Sequence, residues 1–492
     1  MSQIKSVWVL ALFASIFAGI DAKAQAQTDT LHLDLEKAIR MARRTSVDAA
    51  AAINQWETAY WQYRTYRSGL LPEMTLKATV PSYSKRFSTY QNADGAYSFV
   101  PDDNLQIDGE ISLSQRIWLT GGTISLTSSL NYMRQLSGNK GNNFMSVPVA
   151  LTLNQPLFGV NDVKWDRKIE PVKLKEARAK WYSSTEEVAM QAITHYFNLL
   201  IAREALESSR QNYDNAVKLY RAAKAKRSMG QISENDLLQI ELTMLTAQAD
   251  VAADESTAKS RAFALGSFLG VENVEIDLSE PPVPHINDVD FTLAFELATE
   301  NNAFVLNIRR RQLEADYEVA KARGARHEIN LFAQVGYTGA NDNFNDAYRN
   351  LKSNQVVEIG VAVPLLDWGK RKGAVRVAES QRELVKNTIN KETIDFKQNL
   401  FILVERFNNQ RQQVELAQKA VEIANKRYET NVETFLIGRI STLDLSDSQQ
   451  NKDSMRQKQL NELFYYWYYF YQLRSLTLYD FMNKRTLLPI DS

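Results

Sequence analysis

The sequence predicts an α + β protein built from two structural repeats, in each of which β-strands precede a long helical hairpin. Three observations carry this. Gly230 opens GQISENDLL and Gly438 opens GRISTLDLS, so glycine, isoleucine, serine, aspartate and leucine recur in one register 208 residues apart. Ahead of each glycine lies a long proline-poor stretch with apolar residues at steps of three and four. Ahead of each of those stretches are runs in which apolar and polar residues alternate.

The helical stretches share a length. Carried backwards, the same offset places Tyr220 on Tyr428 and Pro156 on Pro364, with no insertion between. A length held constant across a duplication indicates a ruler, such as a helix whose two ends must reach fixed places. From about Glu170 to Ser228, Tyr213, Val217 and Tyr220 mark an apolar face. From about Lys370 to Leu436 the face is marked by Leu416 or Ala417, Val421, Ala424 and Tyr428. Charge on the opposite faces makes this the pattern of helices packed as coiled coil. Pro171 is expected in the first turn, where proline is tolerated. Some 60 to 67 residues give a rod of roughly 90–100 Å.

Beyond each glycine, Ser233 and Ser441 stand as helix N-caps, with Asp236 and Asp444 three residues on. Helices then return to about Leu269 and about Met482. The repeated motif is thus the tip between two antiparallel helices.

Six runs alternate with period two: Met74–Val80, Leu105–Leu113, Ile124–Tyr132, Val147–Leu153, Ile329–Tyr337 and Ile359–Val363. Membrane barrel strands read this way, and so do half-exposed strands of soluble sheets. LPEMTLKA at Leu71 matches RHEINLFA at Arg326 with an offset of 255, so the first half carries about 47 additional residues. Gly121-Gly122 turns an additional hairpin there, which either enlarges a barrel or stands outside it as a surface hairpin. The surface hairpin is the reading preferred. Each half opens with helix, Leu33 to Leu70 and Phe291 to Arg323, and the proline-rich EPPVP from Glu280 lies between the halves. The expected boundaries are 1–26, 27–280, 281–285 and 286–492.

Residues 1–26 read as a secretory signal, with Lys5, an apolar core from Val7 to Ile20, and an Ala-x-Ala site ending at Ala24 or Ala26. That core is too short to span a bilayer, for which about 20 apolar residues are needed, and no later segment approaches that length. The expected mature protein is exported and can enter a membrane only as β-structure. With no cysteine in the 492 residues, disulfides, thiolate sites and an acylated N-terminal cysteine are excluded. Acidic and basic residues balance at 58 each, so nothing favours nucleic acid. His32, His195, His285 and His327 lack ligand spacing, and no nucleophile motif or phosphate loop is present, so no enzyme, cofactor or metal site is expected. FYYWYYFY, Phe464 to Tyr471, falls some 40–50 Å along the second return and reads as an interhelical seam or collar.

Together these features resemble the TolC-like outer membrane efflux proteins over nearly the whole mature chain. The resemblance implies a homotrimer whose β-barrel crosses the outer membrane and continues as an α-helical coiled-coil tunnel through the periplasm. It implies a passive duct of a tripartite efflux or secretion system, met at its tips by a periplasmic adaptor that couples it to an inner-membrane pump. Adaptor contacts would be Gly230, Ile232, Ser233, Gly438, Ile440 and Ser441. The pore constriction would involve Asp444 and Asp447, which share a helix face, with Asp236 in the matching place of the first copy. Asp236 and Asp444 also read as capping carboxylates. Where some members close the tunnel with a tyrosine and an arginine, this chain has Phe435 and Ile440, with Arg439 adjacent. Closure here would then rest on packing or on Arg439. A reading from another class is a periplasmic coiled-coil adaptor or scaffold, which the two hairpins and the strands before each rod oppose.

Overall fold

A computed structural model describes residues 30–137, 140–271, 275–326, 329–361, 366–437 and 439–488. The segment read as a signal, His327, the end of the last strand run at Val363 and Gly438 lie outside these residues. The first half runs β1 (Thr30–Leu33), α1 (Leu35–Thr45), α2 (Val47–Ser68), β2 (Glu73–Gln91), β3 (Tyr97–Arg116), β4 (Thr123–Gln135), β5 (Gly141–Pro156), α3 (Asp162–Ser228), α4 (Glu234–Leu269) and β6 (Glu275–Leu278). The second runs α5 (Phe291–Asn301), α6 (Ala303–Gly324), β7 (Ile329–Asn341), α7 (Phe344–Ala347), β8 (Lys352–Val361), α8 (Lys370–Leu436), α9 (Thr442–Thr477), β9 (Tyr479–Asp480) and β10 (Arg485–Thr486).

The two rods, α3 and α8, each have 67 residues, and the two returns, α4 and α9, each have 36. Each rod is therefore about 100 Å long. The first begins before Glu170, because the Asn161 side chain accepts the Lys164 N–H at 3.0 Å and starts the helix there. Pro171 thus lies inside the helix rather than in its first turn. Its ring leaves the Arg167 carbonyl without the usual partner four residues on. The second return stops at Thr477 and not at Met482. Leu478 takes a left-handed φ of 48°, and β9 pairs with β10. Arg474 holds that end, 3.1 Å from Glu186 and 3.1 Å from the buried Asp480.

The opening helices are each broken once. Ser46 accepts from the Ala49 N–H at 3.1 Å and Asn302 from the Phe304 N–H at 2.8 Å, so each starts a new helix where one continuous helix is expected from sequence.

All six predicted strands join one antiparallel sheet in the order β2-β3-β4-β5-β7-β8. The hairpin at Gly121-Gly122 is therefore not a surface appendage. Its strands β3 and β4 pair outward with β2 and β5 along most of their length. They can do so because their apolar residues fall on the same face as those of their neighbours. Met74, Leu113, Leu126, Leu151 and Val335 form one cross-strand row, and Leu76 with Ile111 belongs to the next. These side chains are exposed, Met74 at 71% and Val335 at 51%. The reverse face carries rows such as Ser114, Ser125, Thr152 and Gln334.

Two bulges keep that division intact. On β2 the apolar positions switch from even, Met74 to Ala78, to odd, Tyr83 and Phe87. The register shifts between Thr79 and Ser82, so Val80 and Pro81 together oppose Ile107. On β5, Pro148 and Val149 together oppose Ser128 in the same way. A bulge residue needs no ladder hydrogen bond, so proline is accommodated there.

By contact the chain divides into two units. One comprises 30–49, Val188–Pro284 and Gln410–Tyr468; the other comprises Ala50–Glu187, His285–Asn409 and the residues from Tyr469 onward. The core of the first gathers Leu33, Ile193, Leu199, Leu265, Leu269 and Tyr196, all fully buried or nearly so. It includes a parallel pair, β1 with β6, that the sequence did not announce. The Tyr196 hydroxyl reaches the Leu33 carbonyl at 3.1 Å and also the Ser279 carbonyl, which ties the strand pair to α3. Burial pushes its pKa up to about 12. Within this unit Tyr466 is buried, its hydroxyl donating to the Pro284 carbonyl at 3.1 Å, and Phe464 meets Phe197 edge-on at 5.7 Å. In the other unit Phe470 is buried near Phe407 at 6.4 Å. The aromatic run thus packs as an interhelical seam.

Tyr196→Phe removes the hydroxyl donor to the Leu33 and Ser279 carbonyls, the first of which keeps the Ser279 N–H, and is expected to destabilise the fold by about 0.5–1.5 kcal/mol, read as a lower urea midpoint. Because the folded pKa lies above the free value, the tyrosine's contribution is intact below pH 10 and is lost as pH rises through about 12. Tyr317, whose pKa burial also pushes up to about 12, remains, so the variant's stability should fall over that window by less than that of the unaltered chain.

Candidate functional site: the two hairpin tips

At the first tip α3 ends in a glycine stop. Gly230 has φ 69°, its N–H bonds the Arg227 carbonyl at 3.0 Å, and the Gln231 N–H bonds the Lys226 carbonyl at 2.9 Å. That pair of bonds satisfies the last carbonyls of the rod and turns the chain, a conformation that glycine adopts without a Cβ penalty. At the second tip the Arg439 N–H reaches the Thr434 carbonyl at 3.1 Å, the same five-residue span.

Both returns start with a reciprocal cap. Ser233 accepts the Asp236 N–H at 3.1 Å, and Asp236 accepts from the Ser233 N–H at 3.2 Å and its hydroxyl at 2.7 Å. Ser441 and Asp444 reproduce it at 3.2, 3.2 and 2.7 Å. The serine hydroxyls, then the backbone donors, hold both carboxyls below their usual range, and Arg427 adds to this at Asp444. The capping role of Asp236 and Asp444 is therefore present in the geometry.

Asp447 has a different partner. Its carboxylate lies 2.7 Å from Arg427, which reaches across from α8. Asn431 of the same helix donates to the Asp444 carbonyl at 3.4 Å, while Leu445 and Ser448 are buried. So Asp444 and Asp447 share one helix end and the field of one guanidinium. Both groups of the Arg427–Asp447 pair are about half exposed, a setting in which ion pairs contribute little stability. Arg427 was not singled out from the sequence. Its register against Asp447 depends on how the hairpin closes, and no fixed spacing reports that.

The remaining tip residues lie at the surface. Gly230, Ser233, Arg439 and Ser441 are exposed, while Ile232, Phe435 and Ile440 are partly covered. Further along, Leu238, Leu242 and Leu245 form an exposed stripe on α4 at helical spacing. On α8 the seam divides: Ala417 and Ala424 are buried, whereas Leu416 and Ile423 face outward. Among the described residues no helix is long and apolar enough to cross a membrane, and no group of side chains could hold a metal ion.

Residues 122–271, from β4 through the first rod and its return, match the family model described as outer membrane efflux protein. The chain resembles the outer membrane efflux proteins. The fold agrees with that along its length. The outer membrane channel CmeC of Campylobacter jejuni superposes with a TM-score of 0.65 at 16% identity, covering 90% of this chain and 85% of that one. VceC, an outer membrane protein of Vibrio cholerae, gives 0.62 at 13%, covering 92% and 96%. The open state of the MtrE outer membrane channel of Neisseria gonorrhoeae gives 0.58 at 14%, covering 92% and 91%. At such identities the likeness to these channels is one of fold. No curated protein matches the chain in sequence.

The depressed carboxyls give the caps a pH signature. Their contribution is full above the ordinary aspartate range and is lost as pH falls through the lower folded value, so the first turns of α4 and α9 should survive at pH 5 and fray below about pH 4. Ser441→Ala should speed amide hydrogen exchange in the first turn of α9 by roughly 2- to 30-fold and leave α4 unchanged.

Proposed function

We propose that this chain is the outer membrane channel of a tripartite efflux or secretion system: a homotrimeric, passive duct from the periplasm to the outside. The observation that carries the reading is a sheet with one exposed apolar face leading directly into two rods of 67 residues each. Lipid is the solvent that makes such a face favourable, and a closed barrel is the form in which β-structure can enter it. Aromatic residues flank the apolar rows at both ends, as in membrane barrels. Trp118, Phe158 and Trp368 are exposed at the rod end of the sheet, and Tyr132, Phe144 and Phe344 cluster at the other, with ring centroids 4.9 and 5.9 Å apart.

Trimer formation answers the second exposed surface. The stripe of Leu238, Leu242 and Leu245 and the outward seam of Leu416 and Ile423 are of the kind that packs between coiled-coil helices, and one chain leaves them uncovered. Two hairpins per chain would give three chains twelve helical strands around a tunnel. In this arrangement the tips, with Gly230, Ile232, Ser233, Gly438, Ile440 and Ser441, meet a periplasmic adaptor bound to an inner-membrane pump. Asp444 and Asp447 ring the entrance together with Asp236, and Phe435 and Arg439 flank it. The duct does no chemistry of its own, and the pump supplies energy.

Detergent-extracted, signal-cleaved protein imaged by electron microscopy should show a threefold particle with a hollow helical stalk of roughly 100 Å. A monomeric particle without a central channel would overturn the duct. In planar bilayers, Asp447→Asn should lower the preference for cations over anions. Since Asp447 stands in an exposed ion pair, its thermal midpoint should hardly move. Unchanged ion selectivity would remove Asp447 from the pore.

A further inference from the structure

We propose that the barrel of this channel has eighteen strands, six from each of three chains, closed by pairing of β2 in one copy with β8 of the next. The inference rests on the trimeric duct above and adds its width and its inter-subunit seam. The sheet has two open edges among the described residues: β2 pairs only with β3, and β8 only with β7. In a hydrocarbon environment each unpaired backbone group costs several kcal/mol, so neither edge can remain open.

The topology decides what can cover them. Every neighbouring pair in the sheet is antiparallel and the strand number is even, so β2 and β8 run in opposite directions. Copies arranged around an axis therefore meet edge to edge as antiparallel partners. Six strands are too few to close alone, since single-chain membrane barrels begin at eight. The additional hairpin β3–β4 fits this scheme because it brings two strands, which preserves the alternation of direction. It also brings Ile111, Leu113, Leu126 and Leu130 to the apolar face and Ser112, Ser114, Ser125 and Ser129 to the polar one. A hairpin standing outside the barrel would have no use for that division. Ten residues of β8 limit the seam, so the outer end of the nineteen-residue β2 continues past it with β3 as a two-stranded ribbon.

Eighteen strands spaced about 4.8 Å apart and tilted by about 40° enclose a circle of roughly 36 Å between backbones, against roughly 24 Å for twelve. The exit would then be wider than a four-stranded contribution allows, and the narrowest point would fall to the helical tips.

Cryo-electron microscopy of the purified trimer in lipid nanodiscs should resolve eighteen strands on a ring of about 36 Å. The absence of native cysteine gives a second readout. In proteoliposomes, a bimane on Ser112→Cys or Ser125→Cys should be quenched by aqueous iodide, and one on Ile111→Cys or Leu126→Cys by spin-labelled lipid. A threefold particle with twelve strands, a ring of about 24 Å and all four positions quenched from water would overturn the eighteen-strand barrel while leaving the duct standing. A particle without threefold symmetry would remove the duct itself, and this inference with it.

Discussion

The structure depends on keeping apolar side chains on one face of a sheet that is long enough to cross a bilayer. A strand alternates with period two, so a single uncorrected slip moves every later side chain to the wrong face. This sequence contains two such slips, one at Val80-Pro81 and one at Pro148-Val149. In both, the extra residue is absorbed as a bulge at a proline, and the rows of Met74 and Leu151 continue outward through Tyr83 and Phe144.

The rods and the six strands were legible because their signals are local and long. Dozens of residues repeat one period, and a glycine followed by a serine recurs in the sequence after each rod. What escaped the sequence was short or non-local. Strands β1 and β6 have four residues each and lie far apart in the chain, so neither shows a period. The breaks at Ser46 and Asn302 come from single side chains that cap a new helix within an otherwise helical pattern. The placement of β3 and β4 within the sheet depends on which strands they meet, which alternation alone does not specify. Helix α3 starts earlier than its sequence suggests, because Pro171 reads as a boundary whereas Asn161 supplies one upstream of it.

At the tips Gly230 turns the first rod, and the Ser233–Asp236 and Ser441–Asp444 caps are complete within one chain. Their use as a gate or a docking point is a property of an assembly. The partner found for Asp447, Arg427, shows the same limit, since i to i+3 spacing identifies two carboxylates on one face but not the cation opposite. The first hairpin has no like-for-like pair, because Leu219 and Gln239 occupy the corresponding positions. The two tips therefore share a capping pattern and differ in charge.

Both rods have 67 residues and both returns have 36. One residue added to a helix advances everything beyond it by 1.5 Å and turns it by about 100°. An insertion in one rod would swing its tip away from its neighbour's and rotate its apolar seam out of contact. A deletion in one return would pull the aromatic run out of step with Phe197 and Pro284. Length change in such a chain is therefore a correlated event: it must occur in ascending and descending helices of both hairpins together. Even then it must come in multiples near seven, at which the helix regains its phase. Homologues of this chain should vary in loop length far more freely than in the span between strand and tip.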